Sequence, residues 1–512
     1  MLVIEHSKYK VAQVTINSFE NTEFLGQNIG FVIRAIAQKY PNAILVWHDA
    51  SVKDAVNLEK IAKLLNLKRK LISYNPSSNY LSSRIGYVEE SPFINVNKKV
   101  TYPTWQMSSC VGAIYTDTLL QFDSKFFNGK NFDFSLNSIA KHYQSLGLFC
   151  YSEPQLLHSE VNYKAVVASN YILFQFVKQH YKFVWKYLLF LDVFLFERNV
   201  LIGPLIQSFF FKNSYYHKLI QFEDANAEKY DLKNESIDVI IPTIGRKKCL
   251  YDVICDLRNQ THLPKNVIIV EQNPVEGSIS DLNFIITEKW PFIIKHTFTH
   301  QSGACNARNV ALEQITSEWV FFADDDIRID ADFIQKAFVY INDFSAKAVT
   351  LSCFQKGEKQ SLTGIFQWGT FGSGCSMVLA DSVQYCKFGM GYEFGFGEDG
   401  DFGMQLRNKG CDVLYLPEPR MLHLKAPNGG FRTKPTLQWQ NESVQPKPSP
   451  TIMLYQIMHN TKEQNKGYKT ILFFKYYKHQ KIKNPILYYI HFQKQWNASV
   501  FWANKLKKQN EV

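Results

Sequence analysis

The chain is predicted to be an α/β protein, and three features say so. Short apolar runs recur after Ser236, helix-like segments separate them, and each run stops at a polar or turn residue. Ile237-Asp238-Val239-Ile240-Ile241 is halted by Pro242-Thr243, and Lys248 to Gln260 reads as a helix. Asn266-Val267-Ile268-Ile269-Val270 ends at Glu271, and a helix from about Ala304 to Gln314 feeds Trp319-Val320-Phe321-Phe322-Ala323, which ends at Asp324. Alternation of this kind implies a mainly parallel sheet, whose ligands sit outside the carboxyl ends of the strands. Thr243, Glu271 and Asp324 are thereby expected at one rim.

Further along lie the glycine-rich loop Gly369 to Gly374, a helix opened by Gly397-Glu398-Asp399-Gly400-Asp401 and stopped at Gly410, and the strand Val413-Leu414-Tyr415-Leu416, which leads through Pro417 to His423. The prolines of Gln445-Pro446-Lys447-Pro448-Ser449-Pro450 close this unit, because they continue neither helix nor ladder.

With 512 residues, more than one core is expected, and 46% hydrophobic against 20% charged residues makes the chain globular. The formal charge of +11 favours polyanionic partners without choosing among sugar nucleotides, nucleic acid and an acidic bilayer face. Nine cysteines, none in a Cys-x-x-Cys pair, indicate neither a disulfide framework nor a zinc site, so a reducing cytoplasm is the expected setting. Met1-Leu2-Val3-Ile4-Glu5-His6 carries no secretion signature. The aromatic stretch from Tyr187 to Phe211 is broken by Asp192, Glu197, Arg198 and Pro204 and is not expected to span a membrane.

An internal repeat is visible in spacing. Gly26 precedes Asp49 by 23 positions, as Gly303 precedes Asp326, and both intervals run through a helix-like segment into an apolar strand. Cys110 to His158 and Cys375 to His423 both span 48 positions, ending in Glu153-Pro154-Gln155-Leu156-Leu157-His158 and Glu418-Pro419-Arg420-Met421-Leu422-His423. Trp47-His48-Asp49 stands where the acidic triplet stands, and Asn131-Phe132-Asp133 lacks the Glu-Asp pair. The expected organisation is a degenerate copy at 1–165, an aromatic helical connector at 166–235, a catalytic domain at 236–440 and a basic aromatic helical region at 441–512.

Asp324-Asp325-Asp326 closes the last central strand. Such a cluster is costly to hold together unless it is protonated, solvated or neutralised, and Asp-x-Asp at a strand end suits a hard divalent cation carrying diphosphate oxygens. A solvated turn is the plainer alternative.

Val239-Ile240-Ile241-Pro242-Thr243, Gly303-Ala304-Cys305-Asn306-Ala307-Arg308-Asn309, the acidic triplet and Gly397-Glu398-Asp399-Gly400-Asp401-Phe402, in this order and spacing, resemble a family 2 glycosyltransferase with the GT-A fold, from about Ser236 to Lys434. The resemblance implies an inverting transfer of a sugar from a nucleotide-diphosphate donor to an acceptor hydroxyl, and Mn²⁺ or Mg²⁺ as cofactor. It suggests His423 as third metal ligand beside Asp326 and Asp324, with Asp324 either sharing the metal or nearer the ribose. His423 is as readily a structural histidine.

An oxocarbenium-like departure from diphosphate places growing negative charge on the leaving group, which a bound cation would stabilise. The acceptor hydroxyl needs a base on the opposite side of the sugar: Asp399 is the candidate, with Glu398 orienting or binding the acceptor. Both residues also suit a helix start, where carboxylates cap free N–H groups. Pro242, Thr243, Glu271, Arg308, Asp324 and Asp325 are expected on the nucleotide-sugar side. The family usually carries Asp-Asp or Asp-Asn after the second strand, and Glu271-Gln272-Asn273 departs from this. Arg308 either meets the diphosphate or pairs with a carboxylate. Gly372, Ser373 and Gly374 either let the acceptor approach the backbone or simply form a tight turn.

Expected partners are a nucleotide-diphospho-sugar and a glycan or lipid-linked acceptor, with peripheral contact at the cytoplasmic face of a membrane through the lysine- and aromatic-rich segments 166–222 and 468–508. A nucleotidyltransferase would want a longer, glycine-rich, lysine-bearing loop than Thr243-Ile244-Gly245-Arg246-Lys247. A nucleic-acid-binding role lacks any recognition module and meets a phosphate-repelling triplet.

Overall fold

The computed structural model describes residues 1–212, 222, 235–425 and 435–510. Most of the polar stretch beginning at Glu223, and the end of the family-like segment at Lys434, fall outside them. The chain divides into two compact units, Met1–Ala227 with Asn460–Lys478, and Glu228–His459 with His479–Val512.

In the second unit the order is β9 (Ile237–Thr243), α8 (Lys247–Arg258), β10 (Asn266–Gln272), α9 (Phe284–Thr287), β11 (Ile293–Thr299), α10 (Ala304–Leu312), β12 (Trp319–Ala323), β13 (Ile327–Ile329), α11 (Phe333–Asp343), β14 (Ala348–Gln355), β15 (Phe366–Gln367), β16 (Cys375–Leu379), α12 (Ala380–Val383), α13 (Glu398–Asn408), β17 (Val413–His423), α14 (Pro450–His459) and α16 (Pro485–Asn510). Helix α15 (Lys462–Tyr477) lies between the last two in sequence but belongs to the first unit.

The sheet of the second unit runs β11-β10-β9-β12-β16-β14-β17-β13, with β15 on β17. It is mixed rather than mainly parallel. β11, β10, β9 and β12 are parallel, β16 runs antiparallel to both β12 and β14, and β14 pairs parallel with β17. The central strands are covered on both faces, which is why they read as continuous apolar runs rather than alternating ones: every residue of β10 and β12 is buried. Helix α8 buries Leu250, Val253, Ile254 and Leu257, one stripe at helical spacing, each side chain contributing roughly 1.5–3 kcal/mol. Asp238, fully buried in β9, is satisfied by Asn266, Ser317 and the backbone N–H groups of Thr316 and Ser317, which ties the entrances of three strands together.

The first unit holds β1 (Leu2–Ser7), β2 (Lys10–Ile16), β3 (Phe19–Glu20), α1 (Ile29–Lys39), β4 (Ile44–Asp49), α2 (Leu58–Leu64), β5 (Lys70–Tyr74), β6 (Tyr102–Pro103), β7 (Val111–Tyr115), α3 (Thr116–Gln121), α4 (Phe132–Tyr143), β8 (Phe149–Ser152) and the helices α5 (Asn170–His180), α6 (Trp185–Glu197) and α7 (Ile202–Ser208). Its strand order is β3-β2-β1-β4-β7-β5-β8-β6. The run β1-β4-β7-β5-β8 is parallel, antiparallel, antiparallel, parallel, as is β9-β12-β16-β14-β17. β6 and β15 each pair antiparallel with the corresponding strand of their unit, β8 and β17. The two sheets differ on the far side of β1 and β9. A tight turn between Ser7 and Lys10 forces β2 to run antiparallel to β1, whereas α8 lets β10 return parallel to β9. Among the described residues the first unit therefore has no counterpart of the strand that carries Glu271.

A glycine at positive φ stands ahead of a helix in each unit. Gly26 (φ +74°) precedes α1 and Gly303 (φ +141°) caps α10. A Cβ at Gly303 would overlap the Glu393 carboxylate, while one at Gly26 would meet nothing within 4 Å. Gly303→Ala is expected to lower unfolding free energy by more than about 2 kcal/mol and Gly26→Ala by about 1 kcal/mol, measured by urea denaturation, because only the first adds a steric clash to left-handed strain.

Candidate functional site

The carboxyl ends of β9, β10 and β12 do meet at one rim. Register partners Thr243 and Glu271 lie side by side, and the Thr243 hydroxyl donates to Asp325 Oδ2 at 2.7 Å. Asp325 is buried and also receives Arg246 Nη1 at 2.7 Å. Burial pushes its carboxyl up to about 6, against the opposing pull of Arg246 and Thr243. Arg246 Nη1 also stands 3.2 Å from Asp326 Oδ2.

Each member of the triplet has a basic side chain beside it. Asp324, a third exposed, meets Arg308 Nη2 at 3.2 Å, and Asp326, buried, meets His423 Nε2 at 3.1 Å. The hydrogen bond to Asp326 raises the His423 pKa despite partial burial. β13 and β17 bring His423 there, since Ile327 registers with His423 directly after the triplet. Gly374 is needed beside Asp324, because a Cβ would overlap that carboxylate. Asp324, Asp326 and His423 offer ligand atoms all within 4.8 Å of one another. Two carboxylates and an imidazole at that spacing, with Asp324 and His423 partly accessible, fit Mn²⁺ or Mg²⁺.

Glu398 and Asp399 lie on the first turn of α13. Asp399 accepts from the Ser373 N–H at 3.2 Å, which binds the glycine-rich loop to the helix start. Burial raises its pKa, opposed by Arg308 and by the Ser373 hydrogen bonds. Burial, then the neighbouring Asp399, pushes Glu398 up to about 7. Asp401 is buried and fully engaged, with Gln405, Tyr392 and, at 2.6 Å, His459 Nε2 of α14.

On the β10 side, Glu271 accepts from His296 at 2.9 Å, and Gln272 Oε1 accepts from the Gly303 N–H at 2.5 Å. Pro242 lies in β9 opposite Val270, while Gly372 sits against Cys375 and Thr350. Sequence reasoning missed two residues. Arg246 follows β9 in a loop whose shortness hid its reach to two aspartates. Glu393 accepts from the N–H groups of Cys305 and Asn306 at 3.1 and 2.8 Å and so caps α10 from a distant loop. No local pattern in the sequence announces that contact.

The first unit repeats part of this arrangement. The acidic pair is absent at Asn131-Phe132-Asp133, yet Asp133 occupies the second position of α4, as Asp399 does in α13, and accepts from the Ser109 N–H at 2.7 Å just ahead of β7. Its other oxygen is filled by Tyr9 and the Ser109 hydroxyl. Among the described residues no second cluster like that of Asp324, Asp326 and His423 occurs.

Residues 238–383 match the Glycosyl transferase family 2 model. The matched segment runs from β9 through the triplet to the end of α12, and the mixed sheet it lies in bears out the expected α/β class for the second unit. Among curated proteins none matches the chain. Similar solved structures include S. aureus TarS 1-349 (19% identity, TM-score 0.31, covering 37% of this chain and 60% of that one) and TarS 1-349 in complex with UDP (14%, 0.35, 53% and 91%). GalNAc-T7 with UDP, GalNAc and Mn²⁺ is also similar (10%, 0.37, 52% and 55%). Likenesses of this extent say nothing by themselves about activity.

Asp326→Ala is expected to weaken Mn²⁺ binding, read by isothermal titration, at least tenfold, and Asp49→Ala to leave it unchanged, because only the former supplies a ligand atom to the three-residue cluster.

Proposed function

We propose that the chain transfers a sugar, with inversion, from a nucleotide-diphosphate donor to a hydroxyl of a glycan or lipid-linked acceptor, in surface-polysaccharide or related glycan synthesis. The observation that carries this reading is the meeting of Asp324, Asp326 and His423 at the strand rim of the segment that matches the family 2 model, with the half-buried Glu398–Asp399 pair linked to the same rim through Ser373 and Arg308.

In this reading Asp324, Asp326 and His423 hold Mn²⁺ or Mg²⁺, which when bound supplies a Lewis acid to the leaving diphosphate. Pro242, Thr243 and Glu271 flank the nucleotide, and Arg308 offers its charge to the diphosphate. Asp325 acts through its partners, fixing the Thr243 hydroxyl and Arg246 in place. Asp399 takes the acceptor proton: burial makes it a stronger base than an exposed aspartate, and Arg308 opposes that rise. Glu398 orients the acceptor above the loop of Gly372, Ser373 and Gly374. Residues 236–440 form the working domain, and 1–165 a degenerate copy that keeps the sheet of the acceptor side but not the β10 half or the metal cluster.

Incubation with a panel of sugar nucleotides plus Mn²⁺ should release nucleoside diphosphate, and Asp399→Asn should cut the rate by about 10²–10⁴-fold. Release that survives chelation of the metal, or is indifferent to Asp399→Asn, would sink the mechanism. Glu398 is neutral below and charged above about 7, so the rate should fall as pH drops through that value. Glu398→Gln should remove that limb and leave only the one set by Asp399.

A further inference from the structure

Helices α6 and α7 of the first unit carry a surface that neither core nor site uses. Phe183, Tyr187, Phe209 and Phe210 are 54%, 38%, 50% and 82% exposed, with Ile202 and Ile206 open beside them. They form one patch: ring centroids lie 5.3 Å apart for Phe183 and Tyr187 and 6.2 Å apart for Tyr187 and Phe209. Contiguous apolar surface of this kind on a water-facing protein marks an interaction site.

Beneath the rings lies a cation. Lys186 is 1% exposed, and its Nζ sits 3.3 Å from the Phe209 centroid, 4.6 Å from Phe183 and 5.2 Å from Tyr187. It has no hydrogen-bond partner among the described residues. An ammonium held only by ring faces is undersupplied with acceptors, and a flexible stem allows it to extend outward when an acceptor arrives. Lys178 Nζ lies 5.6 Å from the Phe183 centroid, and Lys182 and Lys212, next to Phe183 and near Phe210 in sequence, are exposed. The carboxylates of the stretch are already engaged: Asp192 is buried and receives Thr470, and Glu197 binds Arg84 and Tyr87.

We propose that this face docks on an anionic lipid bilayer, with the aromatic rings at the headgroup boundary and Lys186 delivered to lipid phosphate. Charge selects this occupant. A second copy would set the same cationic patch against itself across a two-fold axis, whereas an anionic bilayer complements both the rings and the lysines. Among the described residues no helix is long and apolar enough to cross a membrane, so the face lies on the bilayer. The inference goes beyond the proposed activity and does not depend on it.

The test is flotation of the full-length protein with vesicles of phosphatidylcholine alone and of phosphatidylcholine mixed with phosphatidylglycerol. Binding to the mixed vesicles is expected, weakened on the order of tenfold by the double substitution Phe209→Ser and Phe210→Ser. Phe19→Ser, at an exposed phenylalanine of β3, should bind as the unaltered chain does. Lys186→Gln should retain binding but lose much of the preference for the anionic vesicles. No binding to either vesicle, equal binding to both, or an unaffected double variant overturns the proposal. So does self-association in sedimentation that the double variant abolishes, since the face would then be a contact between copies.

Discussion

Three adjacent carboxylates at the end of one strand are the constraint around which the second unit is arranged. Left to themselves they would repel one another and resist burial. The fold separates their environments instead: Arg308 comes from α10 to Asp324, Arg246 from the loop after β9 to Asp325, and His423 from the end of β17 to Asp326. Each partner arrives from a different element, so the charge balance of the triplet also fixes the mutual placement of those elements. Removing Arg246 would leave the buried Asp325 carboxylate without its cation rather than merely delete a contact.

The same logic extends outward from the rim. Glu393 reaches the start of α10 and satisfies two of its free N–H groups, and the Gly303 conformation makes room for it. Asp401, next to the candidate catalytic pair, is occupied by His459 and thereby secures α14 to the start of α13. One acidic residue of that helix turn is thus engaged in architecture, while Asp399 holds the Ser373 loop. Asp401 is buried, whereas Glu398 and Asp399 are only half-buried.

Much of this was legible in the amino-acid order. β9, β10 and β12 are runs covered on both faces, so uninterrupted apolar residues marked them, and their polar ends marked the rim. β11 was not legible, because Ile293–Thr299 is a half-covered edge strand with Lys295 and His296 in its middle. The antiparallel half of the sheet was hidden for a different reason: strand direction depends on what the connection allows, and single-strand patterns do not contain it. The spacing from Gly26 to Asp49 and from Cys110 to His158 did foreshadow two sheets of like order. The same comparison missed that Asp133 sits where Asp399 sits, because helix position rather than spelling aligns them. Arg246 and Glu393 act across long sequence separations, and no periodicity reports such contacts.

The placement of α15 has a consequence for biogenesis. The chain completes the first unit with Lys462–Tyr477, where Gln464 bonds to the backbone of Glu89 and Ser91, and Thr470 bonds to Asp192. During translation those residues emerge only after most of the second unit has left the ribosome. The first unit therefore waits with an uncovered seam while its neighbour is synthesised, and the order of maturation is not the order of synthesis.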